Sequence, residues 1–305
     1  MAKVKVGVIG VGVMGEHHVR IYSALKEASL IGLFDSNPDR ALAISNKYAC
    51  QSFASPDSLL AQVSALTLAS PTSTHFDLAR LCLKHKKHIL VEKPLASSLA
   101  EAEELVSQAR ANKCVLACGM IERFNPAFTK ASSLVRQEKL LGLDFKRFSP
   151  FPERISDASV VMDMMLHDLD LALALAPAQL ASFKAQGRKV RSSRLDEATA
   201  TLFFTDGLIA KVEASRVKES RQRSLAITTD KGLYEADLLN KRLYRRDFDS
   251  LSVRQELEVK SDDQLTAELK DFVRAVSLGR APKVPGSESL TLIKLAEEVE
   301  KQACS

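Results

Sequence analysis

The feature that most restricts what this chain can become is Val8-Ile9-Gly10-Val11-Gly12-Val13-Met14-Gly15, which begins in the last two residues of the alternating segment Lys3–Ile9. Three glycines in a G-x-G-x-x-G spacing between a strand and a helix form a turn that carries a dinucleotide. The first glycine permits the tight turn, the second lets backbone approach a pyrophosphate, and the third lets the new helix pack closely on the sheet. The free N–H groups at the start of that helix then face the phosphates. Asp35, twenty residues past Gly15, stands where a carboxylate would accept hydrogen bonds from an adenosine ribose and repel a 2′-phosphate. Val13 and Met14 complete the loop, and NAD is preferred, with NADP kept as the alternative. A plain capping role for Asp35 is less apt, because Asn37 fills it better.

The next hundred residues repeat the same grammar. A helix is expected over Met14–Leu25 and a strand over Leu30–Asp35. A further helix opens at Asn37–Pro38 in N-cap then N1 order. Ala65–Ala69, His88–Val91 and Val115–Gly119 read as apolar strands, separated by helices at Thr74–His85 and Leu99–Asn112, the latter capped by Ser98. Apolar strands alternating with helices predict a parallel sheet covered on both faces. After Gly119 the pattern changes: helices are expected from Asn125–Pro126 to about Lys139 and over Val160–Ala176. Between Leu180 and Arg246 come consecutive strands split by turns at Asp206–Gly207, Lys231–Gly232 and Asn240–Lys241. The expected fold class is α/β: a doubly wound, Rossmann-type parallel sheet in residues 1–120. Residues 121–305 then form an α+β domain with an open, mostly antiparallel sheet, with the option that the C-terminal helix packs back on the first domain.

Two segments carry potential chemistry. Glu92-Lys93-Pro94 follows a strand whose carboxyl end faces the ligand crevice of a doubly wound sheet, so Lys93 could orient a hydroxyl and share its proton. An exposed lysine beside a turn is the plainer reading. The helix Val160–Ala176 spaces Asp163, His167 and Asp170 by four and three, which places them on one face. His167 could accept a proton from an alcohol undergoing oxidation, with Asp163 orienting it. A polar stripe or a metal site are the alternatives, and no metal is expected, since no second His or Cys lies nearby.

Net charge is +5 with acids and bases interspersed, and no groove-reading motif accompanies it, so no nucleic-acid partner is expected. The basic run Arg216–Arg223 reads as a solvated strand end or a patch for a small anion. No apolar run reaches the roughly 18 residues of a membrane helix. Five scattered cysteines and an N-terminus that starts as a strand lead us to expect a cytoplasmic protein with no membrane partner.

Gly10-x-Gly12-x-Met14-Gly15-x-x-His18-x-Arg20, Pro71-Thr72-Ser73-Thr74-His75, Glu92-Lys93-Pro94 and Asp163-x-x-x-His167 together resemble the glucose–fructose oxidoreductase and inositol dehydrogenase family. The resemblance continues through Glu268-Leu269-x-x-Phe272-Val273 and Pro282-x-Val284-x-Gly286. It implies a catalytic set of Lys93, Asp163 and His167 and places Pro71, Thr72, His75 and Glu92 beside the cofactor. By the residues alone, His75 reads as a helix start. Ile121-Glu122-Arg123-Phe124-Asn125-Pro126 and Met162-Asp163-x-x-x-His167-Asp168-x-Asp170 look most like sugar-nucleotide 3-dehydrogenases acting on UDP-N-acetylglucosamine. Ser156-Asp157-Ala158-Ser159 departs from the Gly-rich approach common in the family.

The resulting expectation is an NAD-dependent oxidoreductase moving hydride between nicotinamide and a secondary hydroxyl of a sugar, cyclitol or sugar nucleotide. Arg123 and Arg154 would hold an anionic group of the substrate. A biliverdin reductase-like enzyme and a non-catalytic NAD-sensing regulator are the alternatives. Strands Ala198–Phe204 and Leu208–Ala214 carry apolar residues on both sides, so a homodimer or homotetramer through the C-terminal sheet is expected.

Overall fold

The computed structural model describes residues 3–152, 158–250, 252–260 and 263–305. The chain divides into two compact units, Met1–Ile121 with Asp263–Ile293, and Glu122–Asp262 with Lys294–Ser305. The block after residue 120 is therefore not continuous, because a segment near its end rejoins the first unit.

The first unit runs β1 (Val4–Ile9), α1 (Val13–Ala24), β2 (Ala28–Phe34), α2 (Pro38–Lys47), β3 (Gln51–Ser52), α3 (Pro56–Leu60), β4 (Ala65–Leu68), α4 (His75–Lys84), β5 (His88–Glu92), α5 (Leu99–Ala111) and β6 (Leu116–Gly119). All pairings are parallel, in the order β3-β2-β1-β4-β5-β6. This is the doubly wound sheet that the apolar strands require. Asn37 and Ser98 cap α2 and α5 as their sequence positions predict. The short β3 and α3 escape sequence reading, since two and five residues are too few to show a period.

In the second unit, α6 (Pro126–Val135) leads to β7 (Leu140–Phe148), a π-helical turn (Val161–Met165) and α7 (Leu166–Leu175). Seven strands follow: β8 (Leu180–Arg188), β9 (Glu197–Phe204), β10 (Ile209–Ser215), β11 (Gln222–Thr229), β12 (Gly232–Asp237), β13 (Arg242–Asp247) and β14 (Gln255–Leu257). They form one sheet ordered β14-β13-β12-β11-β7-β10-β9-β8, antiparallel except for the β7–β10 pair. The π-turn and α7 lie against β7 and β10, and α6 against β12 and β13. The outer face of β9 and β10 carries apolar residues among polar ones. Burial alternates cleanly, with Ala198, Ala200, Leu202 and Val212 inside, and the outer side mixes Phe203 and Ile209 with Thr199, Thr201 and Lys211.

The chain then forms α8 (Gln264–Leu278), which ends at Gly279 in the left-handed region, and α9 (Glu288–Ala303). Leu265, Leu269, Phe272 and Val273 of α8 share one apolar core with β1, β2 and α1. Glu268 is carried into that core, and among the described residues neither of its carboxylate oxygens has a hydrogen-bond partner. Burial, reinforced by the nearby Glu92 carboxylate, pushes the Glu268 carboxyl well above the ordinary range.

In the second unit, charge is buried in pairs. Arg147 of β7 grips Asp168 of α7 through Nε–Oδ2 at 2.9 Å and Nη2–Oδ1 at 2.7 Å, and its Nη1 donates to Glu122 Oε1 at 3.0 Å. Burial works against the charge on Arg147, but Asp168 and Glu122 outweigh it, and the guanidinium is held firmly cationic. Asn125 donates to the other Glu122 oxygen and to Leu238 O, so the cluster joins β7, α7 and the start of α6.

Two outcomes follow. Removing Arg147 takes both guanidinium hydrogen bonds from buried Asp168 and leaves Glu122 with Arg223 at 3.3 Å and Asn125 at 3.1 Å, so Arg147→Met should cost about 3–5 kcal/mol in chemical denaturation. Arg147→Met/Asp168→Leu should cost less than the two single changes added together. For Glu268 the folded pKa exceeds the unfolded one. Its contribution is therefore full below the unfolded value and is lost as pH rises towards the folded one. Glu268→Gln should match the parent in stability near pH 4. It should then gain on the parent by up to about 1.4 kcal/mol per pH unit above that; a difference that does not change with pH would contradict the burial argument.

Candidate active site

The dinucleotide loop is built by close approach. Gly10 sits at φ +83°, and a Cβ there would lie 2.6 Å from Ser70 N in the turn after β4, so both conformation and space demand glycine. A Cβ on Gly15 would strike the Gly10 carbonyl. Gly12 differs: it is the N-cap of α1, no side chain caps the helix, and a Cβ there meets nothing within 4 Å. The helix start thus faces open space with its N–H groups uncapped by side chains, which suits a pyrophosphate. Val13 is largely exposed and Met14 half-buried at the same helix start.

Asp35 follows β2 and is buried. Its Oδ2 accepts from Val11 N and its Oδ1 from Asn37 N, each at 2.8 Å, so the carboxylate ties the glycine loop to the end of β2. Arg40 Nη1 lies 3.6 Å from Asp35 Oδ2. A carboxylate fixed at this place suits the ribose hydroxyls of NAD.

The other cofactor-side candidates gather at the ends of β4 and β5. Pro71 precedes a short 3₁₀ turn at Thr72–Thr74, and His75 is the first residue of α4, as its sequence position suggests. The His75 ring is buried between two carbonyl oxygens, Pro94 O and Ser70 O, each 2.9 Å from a ring nitrogen. Lys93 follows β5 and is half-buried, with a cis peptide to Pro94. The Glu92 carboxylate is turned to α1, where its Oε1 lies 3.0 Å from Nε2 of the fully buried His18. No sequence signal joins residues 18 and 92.

In the second unit the helix of Asp163 and His167 is not uniform. Val161–Met165 forms a π-turn and α7 begins only at Leu166, so Asp163 does not share the α-helical register of His167 and Asp170. The single helical face expected over all three residues is corrected accordingly: a wider i→i+5 turn swings Asp163 relative to α7. Asp163 N donates to Ser159 O at 3.0 Å, and Ser159 Oγ accepts from Met162 N. Asp163 and His167 are both half-buried, whereas Asp168 and Asp170 are buried.

Arg123 Nε lies 3.0 Å from Asp170 Oδ2, so its guanidinium holds α7, in addition to the substrate role expected of it. Arg154 lies outside the described residues. Arg216 of the basic run is not solvated as expected. It is buried, with Nε donating to Asp196 Oδ1 at 2.9 Å and Nη1 to Ala158 O at 3.0 Å, just before the π-turn. Asp196 is buried, yet N–H groups of Arg191 and Val190, the Ser192 hydroxyl and Arg216 overcome burial and hold its carboxyl well below the ordinary range. Arg147 and Asp196, which did not stand out in the sequence, thus tie α7 and the approach to the π-turn to neighbouring elements, with Asp168, Glu122 and Arg216 as their partners.

Comparison with known proteins agrees with this geometry. Residues 4–120 match the family described as "Oxidoreductase family, NAD-binding Rossmann fold", and residues 143–235 match the "GFO/IDH/MocA C-terminal domain". The UDP-N-acetylglucosamine 3-dehydrogenase of Acidithiobacillus ferrooxidans is 35% identical over 92% of this chain and 91% of its own length. Its solved structure superposes with a TM-score of 0.93, covering 99% of this chain and 98% of that one. The myo-inositol 2-dehydrogenase of Thermotoga maritima is 25% identical over 97% of this chain and 95% of its own length. With matches to the family in both units and a relative 35% identical along nearly the whole chain, the chain belongs to the GFO/IDH/MocA family of NAD-binding oxidoreductases.

Proposed function

We propose that this protein oxidises a secondary ring hydroxyl of a nucleotide-linked sugar, with UDP-N-acetylglucosamine and its 3-hydroxyl as the first candidate. What carries this reading is likeness along the whole chain to a dehydrogenase of that substrate, at 35% identity against 25% for the myo-inositol enzyme. NAD, held by the glycine loop and Asp35, would accept the carbinol hydrogen with its electron pair as hydride and become NADH, while the hydroxyl proton passes to a base of the chain and a ketone is left.

His167 takes the hydroxyl proton, since an imidazole accepts protons near neutral pH. Lys93 donates a hydrogen bond to the same oxygen and stabilises the negative charge that grows on it. Asp163, set off on its π-turn, orients the imidazole or a neighbouring substrate hydroxyl. Arg154 is the candidate for the substrate's phosphates, and Arg123 combines that task with fixing α7 through Asp170. Among the described residues no helix is long and apolar enough to cross a membrane, and the reading places the protein in the cytoplasm, where its dinucleotide is found. The outer face of β9 and β10, with Phe203 and Ile209 among polar neighbours, is the proposed contact between subunits.

Purified protein with NAD should form NADH on UDP-N-acetylglucosamine and far less on myo- or scyllo-inositol. Preference for the cyclitols would overturn the substrate. Lys93→Ala should lower kcat about 10²–10⁴-fold while NAD still binds, and unchanged turnover would remove Lys93 from the mechanism. Light scattering should report a dimer or tetramer, and a clean monomer at micromolar concentration would reject the sheet contact.

A further inference from the structure

The loop between β8 and β9 is built more firmly than a surface connection needs. Its anchor is the buried Asp196, which stands at the end of the loop. Asp196 Oδ2 accepts from three successive backbone N–H groups, those of Val190, Arg191 and Ser192, at 2.8, 2.6 and 2.9 Å. Its Oδ1 accepts from Ser192 Oγ at 2.7 Å and from Arg216 Nε at 2.9 Å. These donors saturate the carboxylate and fix the backbone of the loop. The side chain of Arg191 is not among them.

Residues 188–194 carry four cations and no acid. Arg188 is paired with Glu197 at 2.6 Å. Lys189, Arg191 and Arg194 are exposed, and none of them forms an ion pair among the described residues. Arg191 is held all the same, with its Cζ 4.7 Å over the centre of the Phe151 ring. Contact with a ring consumes none of the guanidinium N–H groups, so their fork stays open to a phosphate, which can accept two of them at once. The loop also lies against the approach to the π-turn. Leu195 O accepts from Val160 N at 2.9 Å, and Arg216 donates from Nη1 to Ala158 O and from Nη2 to Ser192 Oγ, each at 3.0 Å. The Arg216 guanidinium stands 5.9 Å from the centre of the same Phe151 ring. Phe151 thus has Arg191 and Arg216 as neighbours, and the loop supports the residues that lead into the turn of Asp163.

We infer that Arg191 is a substrate-binding residue whose guanidinium takes the diphosphate of a nucleotide-linked sugar, with Lys189 and Arg194 drawing that charge to the loop. The inference rests on the proposed function, because it needs the sugar ring beside Asp163 and His167. In such a substrate the diphosphate is joined to the ring through the anomeric oxygen, only a few bonds from the 3-hydroxyl. A cation for the phosphates must therefore stand close to the segment that carries the reacting groups, as this loop does. A cyclitol carries no such charge and gives Arg191 nothing to hold.

Calorimetric titration of the purified full-length protein with UDP tests the contact without turnover. Arg191→Gln should weaken UDP binding about tenfold or more, and Arg191→Lys, which keeps the charge and loses the fork, should recover part of it. Because the side chain is exposed and outside the Asp196 network, both variants should unfold at the parent's thermal midpoint. A lowered midpoint would assign the loss to the fold of the loop and reject the binding role. With UDP-N-acetylglucosamine as substrate, Arg191→Gln should raise KM about tenfold while kcat stays within about threefold. A fall in kcat at constant KM would contradict a binding role. Equal UDP affinity in the parent and Arg191→Gln, with UDP-N-acetylglucosamine still turned over, would overturn the inference and leave the substrate reading standing. A parent that turns over cyclitols and binds no UDP at millimolar concentration would remove both.

Discussion

The closeness of Gly10 to Ser70 governs the first unit. With no room for a Cβ between them, the end of β1 and the turn after β4 are pressed together at one point, and the chain must turn there into α1. Asp35 extends this contact sideways by holding Val11 N from the end of β2. His75 extends it the other way, from Ser70 to Pro94. The ends of β1, β2, β4 and β5 are thus joined by hydrogen bonds and steric contact where a doubly wound sheet receives its ligand. None of these links depends on a long flexible side chain, which suits a site that must hold a dinucleotide in one pose.

Behind that edge the unit contains an arrangement with a different purpose. His18 from α1 meets Glu92, and burial of Glu268 from α8, reinforced by the nearby Glu92 carboxylate, pushes the Glu268 carboxyl well above the ordinary range and so towards its neutral form. Two carboxyls in one apolar interior are tolerable when one keeps its proton. Glu92 Oε1 lies 3.0 Å from His18 Nε2, while Lys93, the next residue, is half-buried after the strand end.

Much of this was legible in the sequence, for definite reasons. Strand–helix alternation and the three glycines are local signals, and both locate the cofactor loop and Asp35 without reference to distant residues. The caps at Asn37 and Ser98 are local in the same way. What could not be read depends on contacts across the sequence. Periodicity says that Arg216 and Arg123 are charged, not that Asp196 and Asp170 take them into the interior. Nor can local pattern show that the apolar face of α8 closes the core of the first unit. The π-turn is invisible for another reason: inserting it changes the hydrogen-bond pattern of Val161–Met165 without changing which residues are apolar.

That π-turn explains why acids so near each other in sequence have different fates. On α7, Asp168 and Asp170 flank the turn that carries His167, and each is buried against an arginine from another element, Arg147 of β7 and Arg123 near the start of α6. A helix anchored by two guanidinium groups on either side of one imidazole resists rotation about its axis, since either rotation would leave a buried charge without its partner. Asp163 lies before α7, on the wider turn, and is not drawn into that anchoring. Had Val160–Ala176 been one uninterrupted α-helix, the orientation of Asp163 would have been set by the same two ion pairs. The change of pitch at Leu166 separates the register of Asp163 from that of the two acids that hold the helix.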